Sequence, residues 1–195
     1  MIQYNFSIKS CLTAGVDEVG CGSLVGNIVS AAVILNNINF INNLKDSKKL
    51  SIKERSQISI EIKKKSRCWS LGYVNTEEIE RLNVFYARLL AMSRAIQNLT
   101  ISPDFIFFDG KHIPQVSIPS MAIVRGDNII PEISAASILA KVERDNEMIN
   151  LHKHYPEYNF KKNKGYPTKA HLSALSKYGI TIFHRFNFSP VKKFL

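Results

Sequence analysis

The chain has little of what builds a secreted or membrane protein. Its three cysteines, Cys11, Cys21 and Cys68, are odd in number, far apart and free of any CxxC pair; that pattern excludes a disulfide framework and a thiolate zinc site, and points to reduced thiols. No apolar run approaches the ~18 residues that a bilayer-spanning helix needs. The N-terminal MIQYNFSIKS has no charged segment leading into an apolar one, so a secretory signal is not expected. The expected setting is the cytoplasm, with no membrane partner. Also missing are a P-loop, an HExxH pair and any other ligand spacing among the five histidines, which argues against a nucleotide-cradling loop and a zinc protease centre.

Acidic residues are scarce in one region above all. From 151 to 195 nine Lys and Arg face a single acid, Glu157, for a net +8, and 45–67 carries nine bases against three acids, for +6. The whole chain is +10 with a pI of about 9.6, so the remainder is −4. Two basic segments set against an acidic-leaning body suit a polyanionic partner whose phosphates meet the bases while some carboxylates serve another purpose. A plainly solvated basic surface is the alternative. At 195 residues, 45% hydrophobic and 22% charged, the chain can bury a real core in one domain.

The pattern predicts an α/β domain with a mixed sheet. CLTAGVDEV and GNIVSAAVIL are rich in β-branched residues and flank the glycine-rich CGSLVG, so they predict a hairpin. Ser51 with Glu54 is a capping-box pair opening a helix to about Lys65. SRCWSLGYV predicts a third strand, and Thr76 is a candidate N-cap for one or two helices reaching about Asn98. DFIFFDG has the form of a short buried strand ending in a carboxylate, and MAIVRGD repeats it. Pro131 suits the first turn of a helix running on through ISAASILAKVERDNEMINLHKH, where Ala135, Ala136 and Ala140 permit close packing on a sheet. Thr168 is placed to cap a last helix that stops at Gly179.

Four acids fall where packing residues are expected: Asp17 and Glu18 inside an apolar strand, Asp109 ending FIFFD, and Asp127 ending IVRGD. Acids at strand ends are often only turn formers. Four converging on one sheet edge would repel one another unless cations neutralised them, and hard oxygen ligands suit Mg2+ or Mn2+. An acidic cluster beside basic segments meets the needs of two-metal phosphodiester hydrolysis. Asp17 and Glu18 are adjacent, so a regular strand sends them to opposite faces; both reach one site only if the strand ends or bulges there.

The segments AGVDEVGCGSLVG, DSKKLS, FFDG, RGD followed by ISAASILAKVERDNEM, KGYPTKAHL and HRFNFSPV together resemble the type 2 ribonuclease H family, ribonuclease HII, in that order and over nearly the whole chain. The resemblance implies a ribonuclease H-like fold: a mixed central sheet flanked by helices, with a catalytic body at 1–150 and a basic, helical, substrate-binding extension at 151–195 packed on the same domain. It implies endonucleolytic cleavage of the RNA strand of RNA–DNA hybrids, including at single ribonucleotides embedded in duplex DNA, with Mn2+ or Mg2+, leaving 5′-phosphate and 3′-hydroxyl ends. Asp17, Glu18, Asp109 and Asp127 match the family's acidic positions. The first three are implied as direct metal ligands, and Asp127 as a ligand of a second metal or a positioner of water. Tyr166 matches the tyrosine that recognises the ribonucleotide, its ring on a sugar and its hydroxyl on the 2′-OH. The alternative for Tyr166 is a half-buried anchor under the C-terminal helix.

Ser137, Lys141 and Arg144 share a helix face by their spacing and either contact phosphates or brace the carboxylates, with Asp145 turned off that face. Ser47, Lys48 and Lys49, with Lys164, are candidate phosphate contacts. The departure is at Gly20-Cys21-Gly22, where the family usually has Gly-Arg-Gly. Backbone approach by glycines survives the change, but a thiol cannot supply an arginine's charged donor fork. Ser23 and Asn27 stand where proline is common, which predicts a less preorganised loop. Cys21 as a nucleophile is disfavoured by the lack of a nearby histidine. The competing function is a hybrid-binding protein impaired in turnover by this loop, and a phosphotransferase is disfavoured by the missing P-loop. A monomer is the simplest expectation.

Overall fold

The computed structural model describes residues 11–36, 41, 44, 47 and 50–195. Lys48 and Lys49 lie outside the described residues, so their proposed phosphate contacts are not placed. The sheet is built from β1 (Thr13–Val19), β2 (Ile28–Ile34), β3 (Cys68–Val74), β4 (Phe105–Asp109) and β5 (Ser120–Ile123), in the order β3-β2-β1-β4-β5. The expected hairpin is there: β1 pairs antiparallel with β2 and β2 with β3, while β4 runs parallel to both β1 and β5. A mixed sheet results.

Strand alternation assigns the two faces. Ala14, Val16, Ala32, Ile34, Ile106 and Phe108 form a core with α2 (Thr76–Gln97). Ala31 and Val33 face the other way, against α1 (Ile52–Lys65) and the long α3 (Pro131–His154). α3 lies close to the sheet because its Ala135, Ala136 and Ala140 are small and because β1 carries Gly15: a Cβ there would stand 2.1 Å from the Glu132 backbone carbon. The sequence thus dictates the approach distance as well as the pattern.

Helix ends follow side-chain chemistry. α1 opens with the predicted capping box of Ser51 and Glu54. For α2 the cap is Asn75 rather than Thr76, because the Asn75 side chain accepts from Glu78 N at 2.9 Å while Glu78 reaches back to Asn75 N. Asn83, at φ 62° and ψ 167°, interrupts α2. MAIVRGD does not repeat the form of FIFFDG. β5 ends at Ile123, Arg125 turns the chain at φ 58°, and Asp127 sits in a short 3-10 turn, Gly126–Asn128. An edge strand has only one neighbour to hold it straight, and here the left-handed residue ends it early.

Beyond α3 come α4 (Phe160–Asn163) and α5 (Lys169–Tyr178), the latter capped by Thr168 and ended at Gly179 as expected. It is not the last helix: α6 (Ser189–Lys192) follows, with Pro190 in its first turn. Leu24 and Val25 share a core cluster with Met148, Phe160, Leu175 and Val191, so the segment after β1 and the C-terminal residues are packed as one.

Candidate active site

β1 carries Asp17 and Glu18 in regular register with β2, opposite Ala31 and Ser30. There is no bulge. What ends is the pairing on the other edge, which stops at Val16 with Phe108; Asp17 therefore begins where β4 reaches Asp109. Alternation sends the two acids apart, as the strand geometry requires. Asp17 turns to the α3 side, where the Ser137 hydroxyl acts on it, and Glu18 turns to the α2 side, where Arg88 Nη1 lies 3.4 Å from its Oε1. Asp109 Oδ1 accepts from Gly126 N at 2.7 Å, which ties the end of β4 to the turn holding Asp127. The Asp127 side chain takes a bond from Asn128 Nδ2 at 2.8 Å, and its carbonyl accepts from Ser134. All four acids stand on one margin of the sheet.

Three of these acids, Asp17, Glu18 and Asp109, feel one another. Burial first, then the Glu18 and Asp109 carboxylates, push Asp17 well above the usual carboxylate range, against the pull of the Glu18 amide and Ser137. Burial raises Glu18, Arg88 opposes the rise and Asp109 adds to it. Asp17, Glu18 and Asp109 thus form a largely buried acidic cluster, with carboxylate oxygens as its donors. That donor set fits a hard divalent cation. Among the described residues no three His, Cys, Asp or Glu side chains already stand close enough to hold an ion, because Glu18 and Asp17 point to opposite sheet faces and Glu18 leans on Arg88. A cation would have to draw these oxygens together.

The turn after β1 begins with Gly20 at φ 95°, a conformation that favours glycine. Cys21 is partly buried, its Sγ 3.9 Å from Glu18 Oε1, and its thiol is pushed up to about 12, chiefly by burial and then by Glu18. A thiol held protonated is a poor nucleophile. Tyr166 is 38% exposed and lies across this loop: a Cβ on Gly22 would stand 3.6 Å from its Cε1.

The other candidates divide by what they touch. Arg144 is 2% exposed and lies beneath the loop, not on the surface, donating to Ser23 Oγ at 3.0 Å and to the Val25 carbonyl. Lys141 pairs with Asp145 at 2.6 Å, and Asp145 also takes Arg55 at 3.3 Å, so Asp145 has the structural role expected of it but, one turn on from Lys141, is not turned away from it as expected. Ser47 is buried and bonds the Ser137 hydroxyl at 2.8 Å, which removes it from the surface where phosphates would be met. Lys164, at φ 53°, has its ammonium pKa lowered by desolvation. Ser23 and Asn27 do not leave the loop loose. Ser23 accepts from Arg144, and Asn27 N donates to Glu147 Oε1 at 3.0 Å, a bond that a proline could not make.

Sequence reasoning missed three features. Arg185, fully buried, donates to the carbonyls of Cys21 at 3.2 Å, Gly26 at 2.8 Å and Asn27 at 3.2 Å. His171 and His184 form a buried pair with Nε2 atoms 3.3 Å apart. Arg88 bonds Glu18. HRF in the closing segment marked the neighbourhood of the first two, but nothing local says that Arg88 meets β1, since that contact joins residues seventy apart.

Comparison with known proteins decides the family. The ribonuclease HII family pattern matches residues 14–191. The chain belongs to the ribonuclease HII family. A ribonuclease HII from Alteromonas mediterranea is 53% identical over 184 residues, covering 94% of this chain and 97% of that one. In fold, the chain is similar to the ribonuclease H2 of Pyrococcus horikoshii OT3, with a TM-score of 0.81 at 24% identity, covering 93% and 96% of the two chains. It is also similar to a Bst-RNase HIII in complex with Mn2+, with a TM-score of 0.66 at 16% identity, covering 96% and 70%. As a ribonuclease HII, the chain is an endoribonuclease acting on RNA–DNA hybrids.

Proposed function

We propose that Asp17, Glu18, Asp109 and Asp127 bind Mn2+ or Mg2+ and that the enzyme cuts both hybrids and duplex DNA containing a single ribonucleotide, leaving 5′-phosphate and 3′-hydroxyl ends. The observation that carries this reading is the Asp17 carboxylate, raised first by burial and then by its acidic neighbours Glu18 and Asp109: a cluster of this kind is relieved by cations. The solved Bst-RNase HIII complex contains Mn2+, which supports the choice of metal. A bound divalent cation supplies a water of lowered pKa and positive charge beside the leaving oxygen.

The chain's own residues do the rest. Ser137 and the Glu18 amide hold Asp17 on one side of the strand end. Gly126 N fixes Asp109 and with it the turn of Asp127. Gly20 and Gly22 let the backbone approach the ribose, and Tyr166 across the loop offers its ring to a sugar and its hydroxyl to the 2′-OH. The lysines of 151–195, Lys164 among them, would hold the flanking phosphates, as would Lys141 at the margin of the site. Ser137, Arg144 and Ser47 serve from within, by holding Asp17, the loop and each other.

Matched all-DNA, hybrid and single-ribonucleotide duplexes test this directly. Cleavage of the latter two with Mn2+ or Mg2+, abolished by EDTA, is expected. Cutting that persists in EDTA overturns the metal reading, and an intact single-ribonucleotide duplex overturns that substrate assignment.

A further inference from the structure

Glu18 shares its Oε1 between two neighbours, the Cys21 thiol at 3.9 Å and Arg88 Nη1 at 3.4 Å. The guanidinium comes from α2, and the break at Asn83 aims it. Asn83 Oδ1 accepts from Phe85 N at 2.9 Å and Tyr86 N at 3.3 Å, so it caps the second part of α2 and sets that segment's start. One turn on from Phe85, Arg88 faces the end of β1. The Phe85 ring lies 5.6 Å from its Cζ, and His112, from the segment after Asp109, packs edge-on against Phe85 at 5.2 Å. Arg88 thus stands between the acidic margin and an exposed aromatic surface: Phe85 is 42% and Tyr86 59% exposed.

Its bonding is thin for so placed a cation. Among the described residues only its Nη1 is engaged, on one oxygen at 3.4 Å, while Nε is buried without a partner there. The side chain keeps 22% of its surface open. A guanidinium does not shed its proton, and its fork matches phosphate oxygens. Were Glu18 and its acidic neighbours taken up by a divalent cation, they would have less to offer Arg88, and the anions left to it at this margin would be those of the nucleic acid. The π-face of Phe85 lets the charged group turn without losing its support.

We propose that Arg88 supplies, from α2, the guanidinium that the Gly20-Cys21-Gly22 loop lacks: it pairs with Glu18 in the metal-free protein and binds a substrate phosphate when Glu18 binds the metal. The exchange rests on the proposed role of Glu18; the phosphate contact can be read separately.

Two measurements on the full chain test it: Mn2+ binding without nucleic acid, and hybrid binding as a function of salt, in EDTA and in Ca2+. R88A is expected to bind Mn2+ more tightly than wild type, having lost a competing cation. In Ca2+ it should bind the hybrid about three- to tenfold more weakly and show a salt slope smaller by about one. In EDTA the two proteins should differ little. R88K should keep the slope, and C21R placed in the R88A background should restore it. R88A that melts as wild type does and keeps both hybrid affinity and slope in Ca2+ overturns the proposal, leaving a structural ion pair. Should R88A fail to fold, R88Q carries the same expectations. E18Q that binds Mn2+ like wild type overturns the metal role of Glu18, and with it the exchange, whatever the slope of R88A.

Discussion

At Asp109 a single carboxylate serves two masters: Oδ1 holds Gly126 N, and its charge raises Asp17 and Glu18. Asparagine keeps an oxygen for the amide and loses the charge. D109N is therefore expected to fold with near-normal melting while metal-dependent cleavage falls at least about a hundredfold; near-normal hydrolysis by D109N sinks its assignment as a metal ligand. Cys21 sits at the same margin with a different fate. Its thiol, raised to about 12, stays protonated at neutral pH, so iodoacetamide at pH 8 should alkylate it at least about tenfold more slowly than a cysteine in a short peptide. Rapid labelling of Cys21 would show that the loop is more open than the structure has it.

At the scale of elements, α3 lies directly against β1. The contact is backbone to backbone: a Cβ at Gly15 meets Glu132 C at 2.1 Å and Ile133 N at 2.2 Å, and neither can turn away as a side chain could. G15A must lift α3 from the sheet, and a loss of roughly 3–5 kcal/mol in urea unfolding is expected. An ordinary cap shows the contrast. Removing Ser51 Oγ from the capping box of α1, in S51A, should cost about 1 kcal/mol, because only one amide of an exposed helix end loses its acceptor. α2 was legible in kind but not in detail. Asn75 and Thr76 are both cap formers, and the choice fell to the residue whose partner three places on, Glu78, closes the box. The sequence left one helix or two open here; asparagine is a weak helix former and a good cap, and in the structure Asn83 starts the segment carrying Arg88.

The whole molecule is closed by residues far from the acids. Thr181 N donates to His184 Nδ1 at 2.9 Å, so the neutral His184 carries its proton on Nε2 and gives it to His171 Nε2; His171 Nδ1 then donates to the Tyr166 carbonyl at 3.0 Å. This one-way chain joins the C-terminal segment to the residue that faces the glycine loop. It requires both rings neutral. Burial, and then His171, lowers His184 from its ordinary value to about 4, and burial lowers His171. A folded-state pKa below the unfolded one means that the unfolded chain binds more protons in between. Stability from this pair is therefore full above about pH 6.5 and is lost as pH falls toward 4, by on the order of 3 kcal/mol for His184. Melting temperature followed from pH 7 to 4 measures it, and H184N should flatten that part of the profile. A profile unchanged by H184N would place the acid sensitivity elsewhere.

Local chemistry was enough to determine the hairpin, the capping box at Ser51, the start of α3 at Pro131 and the end of α5 at Gly179, because a strand's alternation, a cap or a left-handed glycine is settled by neighbours a few residues away. The acids were legible as interruptions of apolar strands, and the basic segments as a simple count. Convergence was not legible. That Gly126 anchors Asp109, that Arg144 and Arg185 brace the glycine loop from beneath, and that Arg88 stands over Glu18 are all contacts between residues distant in sequence. Only tertiary packing chooses among the many distant partners each side chain could meet. It turned Arg144 to the loop, rather than to phosphates or carboxylates, and set the Arg88 guanidinium of another helix beside Glu18.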